Sequence, residues 1–94
     1  MRKHEQVEKY INDALQALNS IMHTKQPDRP SLPEDQLIRF KTNLQQMSER
    51  IKSGKIPPPS DRPNFMGRII ADSWPLDLPA ANLIILAERS FLEL

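Results

Sequence analysis

Apolar residues recur at intervals of three and four along most of this chain, the spacing that places side chains on one face of an α-helix. A first stretch covers residues 5–24, and its apolar members are Val7, Tyr10, Ile11, Ala14, Leu15, Leu18, Ile21 and Met22. A second stretch covers residues 32–53, and its apolar members are Leu37, Phe40, Leu44, Met47 and Ile51. The spacing predicts two amphipathic helices that form an antiparallel hairpin.

Proline and glycine mark the ends of these helices. Three prolines between residues 25 and 33 interrupt the pattern, because proline lacks the amide hydrogen that a helix needs. Ser31 and Glu34 have the spacing of a capping box at the start of the second helix. Gly54 is placed to adopt the left-handed conformation that ends it.

The second half of the chain consists of a rigid connector followed by two further helices. Residues 55–63 contain four prolines, which favour an extended polyproline conformation. A third helix is predicted over residues 62–73, capped by Ser60 or Asp61. A fourth is predicted over residues 78–93. The expected fold is all-α, a small bundle of about four helices with proline-rich connectors.

Composition is consistent with a single helical domain over residues 1–94. Apolar residues make up 38% of the chain and charged residues 27%, which is ordinary for a folded protein and too apolar for a disordered one. The chain has no cysteine, so disulfides, thiolate nucleophiles and iron–sulfur clusters are excluded. No apolar run reaches the roughly 18 residues of a membrane span, and a cytoplasmic location is expected.

The histidines give no convincing metal or catalytic site. His4 and His23 are the two histidines of the chain, and their positions on the first helix do not converge. His4 and Glu8 have the spacing of a pair of metal ligands on a helix, but two ligands without a third are poor evidence for a site. A frayed helix end is the simpler interpretation.

Two carboxylates beside an aromatic ring occur in glycosidases, and Asp72 and Asp77 flank Trp74. Helix capping explains Asp77, and Asp72 lies near the end of a short amphipathic helix. Two isolated glycines form no phosphate-binding loop. We therefore expect no enzyme, no metal and no cofactor. A subunit that supplies residues only within an enzyme complex is an open alternative.

A local excess of cations gives the second functional hypothesis. The whole chain has 13 basic and 12 acidic residues, too even a balance to attract nucleic acid or an anionic membrane. Residues 50–68 contain the cations Arg50, Lys52, Lys55, Arg62 and Arg68. Three of these complement the dipole at the end of the second helix without any ligand. A small nucleic-acid-associated regulator that uses residues 50–68 is the alternative function.

The leading hypothesis is a non-enzymatic binding or regulatory protein that acts through contact with another, unidentified protein. The connector and the third helix combine cations with an aromatic ring of the kind enriched at binding hot spots. The candidate contact residues are Arg62, Asn64, Arg68, Asp72 and Trp74. For Trp74, the single tryptophan of the chain, a place in the core is the competing interpretation.

The fourth helix carries more apolar residues than one buried face needs. A core-facing arc is assigned to Ala80, Leu83, Ile84, Leu86, Ala87, Phe91 and Leu94. Leu78, Ile85 and Leu92 recur every seven residues on the other side of Glu88, as a second apolar stripe. Leaving these side chains in water forgoes about 1.5–3 kcal/mol each. A two-fold dimer through this stripe is expected, and cover by the third helix is the alternative.

The dimer predicts a concentration-dependent mass. Wild-type protein at high micromolar concentration is expected to scatter light with twice the mass of one chain. Changing both Ile85→Glu and Leu92→Glu is expected to give the monomer mass, because carboxylates are costly to bury in an apolar contact. A wild-type monomer at that concentration would contradict the dimer and leave the stripe internal.

Overall fold

The computed structural model describes residues 2–24, 32–62, 64–75 and 78–94. These ranges form four α-helices and one turn of 3-10 helix, and they contain no strand. The α-helices are α1 (Arg2–His23), α2 (Glu34–Ser53), α3 (Met66–Ser73) and α4 (Pro79–Leu92), and the 3-10 turn is Pro59–Asp61. The predicted all-α bundle is confirmed.

α1 is the central helix of the bundle, because it packs against both α2 and α4. Its buried apolar residues are Val7, Ile11, Ala14, Leu18 and Ile21. Those of α2 are Leu37, Phe40, Leu44, Met47 and Ile51. The apolar stripes predicted for the first two helices are therefore the faces that form the core.

The helix ends agree only in part with the predicted signals. Gly54 has the left-handed backbone predicted for the end of α2, with φ of 73°. At the start of α2, the N-cap residue Pro33 has an extended backbone and makes no side-chain cap hydrogen bond, and Ser31 of the predicted capping box lies outside the described residues. α4 begins at Pro79, which suits the first position of a helix because its amide hydrogen is not needed there. Asp77 also lies outside the described residues.

α3 begins four residues later than predicted, and its cap comes from another helix. Ser60 and Asp61, the predicted caps, belong to the 3-10 turn. The carboxylate of Glu88 on α4 instead accepts hydrogen bonds from the backbone N–H groups of Met66 and Gly67, both at 2.9 Å. A helix N-terminus carries unpaired N–H groups and a partial positive charge, so an anion is stabilised there. The prediction of a local cap was wrong.

Gly67 makes room for this contact. A Cβ atom added at Gly67 would lie 3.0 Å from Oε1 of Glu88, closer than an ordinary van der Waals contact. Glycine weakens a helix by about 1 kcal/mol relative to alanine. At this position the loss is offset, because the missing side chain lets the carboxylate reach the backbone.

Arg62 makes the corresponding contact at the C-terminal end of α4. Its Nη1 donates hydrogen bonds to the carbonyl oxygens of Phe91 at 3.2 Å and Leu92 at 3.0 Å, and its Nε donates to the carbonyl oxygen of Pro57 at 2.7 Å. The guanidinium carbon also lies 5.8 Å from the centroid of the Phe91 ring. Cations are stabilised at the C-terminus of a helix by its dipole. Arg62 therefore ties the connector to the end of α4.

The buried face of α4 differs from the predicted one. Leu86, assigned to the core-facing arc, is 41% exposed, and that assignment was wrong. At about 100° per residue, Leu86 lies nearly opposite Ile84, on the polar side of the helix. Glu88, treated as the boundary between two apolar stripes, is only 5% exposed. Because Glu88 is buried, the two stripes form one continuous face.

Replacing Glu88 by glutamine tests whether this carboxylate holds α3 in place. The Glu88→Gln substitution keeps the shape of the side chain but removes its charge and turns an N–H donor toward a backbone N–H group. We expect the free energy of unfolding to fall by about 2 kcal/mol, since hydrogen bonds to charged groups contribute that much. Urea denaturation measures the change.

The control is Glu49→Gln, on the exposed side of α2. Its effect is expected to stay within about 0.5 kcal/mol, as for most surface substitutions. Equal effects of the two substitutions would show that the Glu88 contact does not stabilise the fold.

Candidate binding groove

A groove runs along α2, between this helix and the chain segment that leads into α3. Two depressions of about 290 Å³ each meet at Asn43 and Gln46. Residues 39, 43, 46 and 50 share one face of α2, because they are spaced by four, three and four. We call this feature the α2 groove. One wall is formed by residues of α2, which are Arg39, Thr42, Asn43, Gln46, Met47 and Arg50. The other is formed by Pro57, Asp61 and Phe65 together with Phe91 of α4.

Asn43 lies at the centre of the α2 groove with its amide poorly paired. The side chain is 6% exposed. Its Nδ2 donates to the thioether sulfurs of Met47 at 3.6 Å and Met66 at 3.7 Å, and a thioether is a weak acceptor. Among the described residues, its amide oxygen accepts no hydrogen bond. Among the described residues, the buried side-chain oxygens without a partner are Oε1 of Glu8 and Oδ1 of Asn19, so the amide oxygen of Asn43 is open to the groove.

Arg39 and Arg50 place positive charge at the two ends of the groove. Both side chains are exposed. The guanidinium carbon of Arg39 lies 4.2 Å from the centroid of the Phe65 ring, a cation–π contact that holds it at the rim. The two arginines are eleven residues apart, which is about 16 Å along the helix axis. Asp61 is the acidic residue in the lining, so two cations face one carboxylate.

An aromatic cluster fixes α3 and the preceding segment beside the groove. The ring of Phe40 stacks on Trp74 at a centroid distance of 5.2 Å and meets the ring of Phe65 at 5.9 Å. The indole N–H of Trp74 donates to Oε1 of Gln36 at 2.9 Å. Trp74 is 4% exposed, so its burial supports the place in the core that was the competing interpretation.

None of the five sequence-predicted contact residues lines the α2 groove. Arg68 and Asp72 are exposed and lie one turn apart on α3, and the exposed Asn64 precedes that helix. Arg62 is partly buried and bonded to the end of α4, and Trp74 is in the core. The structure therefore leaves three of the five on the outer surface around α3.

The second apolar stripe of α4 is partly covered within one chain. Leu78, Ile85 and Leu92 are all half-buried. A Cβ atom on Gly67 would lie 4.0 Å from Cγ1 of Ile85, so α3 packs over this part of the stripe. Cover by the third helix thus accounts for part of the burial, and the dimer stays a prediction.

Sequence reasoning did not single out Asn43 or Arg39. A signal for Asn43 was present, because it lies three residues after Phe40 and four before Met47, at the edge of the apolar stripe of α2. A polar residue at such a position marks a buried hydrogen-bonding group. Nothing in the sequence indicated that the segment before α3 lies opposite it.

The histidines lie far apart on α1. His4 is near its beginning and His23 is its last residue, a separation of about 28 Å along the axis. Across the described ranges, no three His, Cys, Asp or Glu side chains are grouped so that they could hold a metal ion. In the same ranges, no helix is both long and apolar enough to cross a membrane.

No protein-family model matches this chain, and no curated protein sequence matches it. The small helical bundle with a polar groove along α2 is therefore the basis on which a function is inferred.

The poor pairing of Asn43 predicts that a leucine at this position stabilises the protein. Leucine has the same branching as asparagine but no polar atoms. We expect Asn43→Leu to raise the free energy of unfolding by about 1 kcal/mol, because N–H groups that have only weak sulfur acceptors are removed and apolar surface is buried beside Met47 and Met66 instead. Thermal and urea denaturation both measure this.

The matched substitution is Asn12→Leu on the exposed side of α1, which is expected to change stability by less than about 0.5 kcal/mol. A loss of stability in Asn43→Leu would mean that the amide is well paired and that the groove has no unmet hydrogen-bonding capacity.

Proposed function

We propose that this chain is a non-enzymatic binding protein that acts through protein–protein contact, and that its partner occupies the α2 groove. The observation that carries the proposal is the amide of Asn43, buried at the centre of the groove and hydrogen-bonded only to sulfur. A partner that offers an N–H donor would supply the hydrogen bond that the amide oxygen lacks within the chain. Within the folded chain, the amide has only these weak hydrogen bonds to sulfur.

Rigid walls support a binding role. The wall opposite α2 is held by the bond of Arg62 to the carbonyl oxygen of Pro57, by the ring contact of Phe65 with Phe40, and by the start of α3. A preformed site loses little conformational entropy when a partner binds. The groove therefore has the preorganisation that specific recognition needs.

Nucleic acid is the second candidate, favoured by the exposed cations Arg50, Lys52 and Lys55 around the end of α2. Arg62, which belongs to the same basic stretch, donates its hydrogen bonds to carbonyl oxygens, so it is engaged within the fold. Binding of DNA or RNA would weaken steeply with rising salt, because phosphate contacts release counterions. An interface with a protein would respond much less.

Site-specific crosslinking tests the proposed function. A photoreactive amino acid placed at Gln46, in the groove, is expected to form a covalent adduct with one protein in an extract of the native source. The same group at Gln16, on the exposed side of α1, is expected to form none. Adding Asn43→Leu to the Gln46 variant is expected to remove the adduct, although the chain is at least as stable.

Gel mobility and mass spectrometry identify the adduct. The same adduct from both positions would mean that capture is not specific to the groove. An adduct that nuclease digests, and whose formation falls steeply with salt, would replace the proposed function with the nucleic-acid alternative.

A further inference from the structure

The two arginines of the α2 groove stand on either side of the poorly paired amide. Arg39 is held over the Phe65 ring at one end, Arg50 lies beside the connector at the other, and Asn43 is between them. A ligand that fits this arrangement has anionic groups at its ends and an N–H donor in its middle. A peptide chain with two acidic residues has that chemistry.

We infer, on the basis of the proposed function, that the α2 groove binds an acidic segment of another protein in an extended conformation. The separation of Arg39 and Arg50 is about 16 Å along the helix axis, and an extended chain rises about 3.3 Å per residue. Two carboxylates about five residues apart therefore match the two guanidinium groups. The main chain between them passes Asn43, whose amide oxygen accepts from a backbone N–H group while its own N–H groups stay on the sulfurs of Met47 and Met66.

The central amide selects an extended segment over a helix. In a helix the backbone N–H and carbonyl groups are bonded within the helix and are not free to pair with a partner. An extended segment presents both groups to its sides. The buried Asn43 thus recognises the backbone of the peptide, while the arginines recognise its acidic side chains.

Asp61 restricts the sequence between the two acidic residues. Its carboxylate lies in the half of the groove that also contains Arg50, on the opposite wall. A further carboxylate next to the one that pairs with Arg50 would lie near Asp61 and be repelled. The intervening residues of the segment are therefore neutral or basic, so the groove distinguishes two spaced acidic residues from a continuous acidic run.

A single nucleic-acid strand fits the same groove poorly. Base stacking needs a free aromatic face. Of the rings in the lining, that of Phe65 has the Arg39 guanidinium over it and contacts Phe40, and Phe91 is 1% exposed. Asp61 would also repel a strand that carries a phosphate on every nucleotide, whereas a peptide can be neutral on either side of the residue that pairs with Arg50. The lining favours a peptide.

Fluorescence polarisation with a designed peptide tests the inference. The probe is a fluorescein-labelled peptide of about ten residues, with two glutamates five positions apart and serine, threonine and valine elsewhere. Saturable binding at low salt is expected. Replacing the glutamates by glutamine, or placing them side by side, is expected to weaken it strongly. During a titration with the peptide, the side-chain amide resonances of Asn43 are expected to shift in NMR spectra.

Variants of the full chain identify the contacts. Arg39→Gln with Arg50→Gln is expected to weaken binding by about tenfold, the effect of losing two exposed ion pairs. The control pair Arg68→Gln with Arg89→Gln removes the same charge from exposed positions outside the groove and is expected to leave binding unchanged. Asn43→Leu is expected to weaken binding while its melting temperature stays at or above that of the wild type.

Three results would overturn the inference. They are equal weakening by both arginine pairs, equal binding of the peptide with adjacent glutamates, and competition by a single-stranded oligonucleotide at the same concentration. If the peptide does not bind but crosslinking at Gln46 still captures a protein, the acidic-segment inference fails and the proposed function stands. If both experiments fail, both proposals fall.

Discussion

The hydrogen bonds from the start of α3 to the carboxylate of Glu88 hold the second half of the bundle together. α3 has only eight residues, too few to be stable as an isolated helix. Glu88 pairs with two of its otherwise unpaired N–H groups and stabilises its dipole, while Gly67 allows the close approach. Arg62 acts in the same way on the carbonyl groups at the end of α4. A negative charge therefore lies at the N-terminus of α3, and a positive charge lies at the C-terminus of α4.

The α2 groove is a consequence of these contacts. Its wall opposite α2 belongs to the segment between the end of α2 and the start of α3, which Arg62 and Glu88 fix at the two places where it meets α4. Phe65, the residue before α3, then contacts Phe40 and supports the guanidinium of Arg39. The spacing between α2 and this segment is therefore set by hydrogen bonds from a third element.

The sequence predicted the parts of the structure that depend on local periodicity. The stripes of the first two helices, the stop at Gly54 and the all-α class follow from spacing and backbone preferences of nearby residues. The start of α3 did not, because its cap lies more than twenty positions away in the sequence. The same contact explains the error on α4. A glutamate in a helix is usually expected to face solvent, so Glu88 was expected to separate two apolar stripes. Because Glu88 is buried, the two stripes belong to one buried face. The groove depends on this long-range contact. The residues of the wall that faces Arg39 and Asn43 could therefore not be predicted from the sequence.

Glu88 and Asn43 are almost equally buried, at 5% and 6% exposure, but only one is explained by the fold. Both carboxylate oxygens of Glu88 accept backbone hydrogen bonds, so its burial stabilises α3. The amide of Asn43 is bonded only to thioether sulfurs, which are weak acceptors, and its oxygen is open to the groove. Departures from full pairing of polar groups are expected at functional sites. The contrast between these two side chains is why we propose binding at the α2 groove and not at the better-paired surface between α3 and α4.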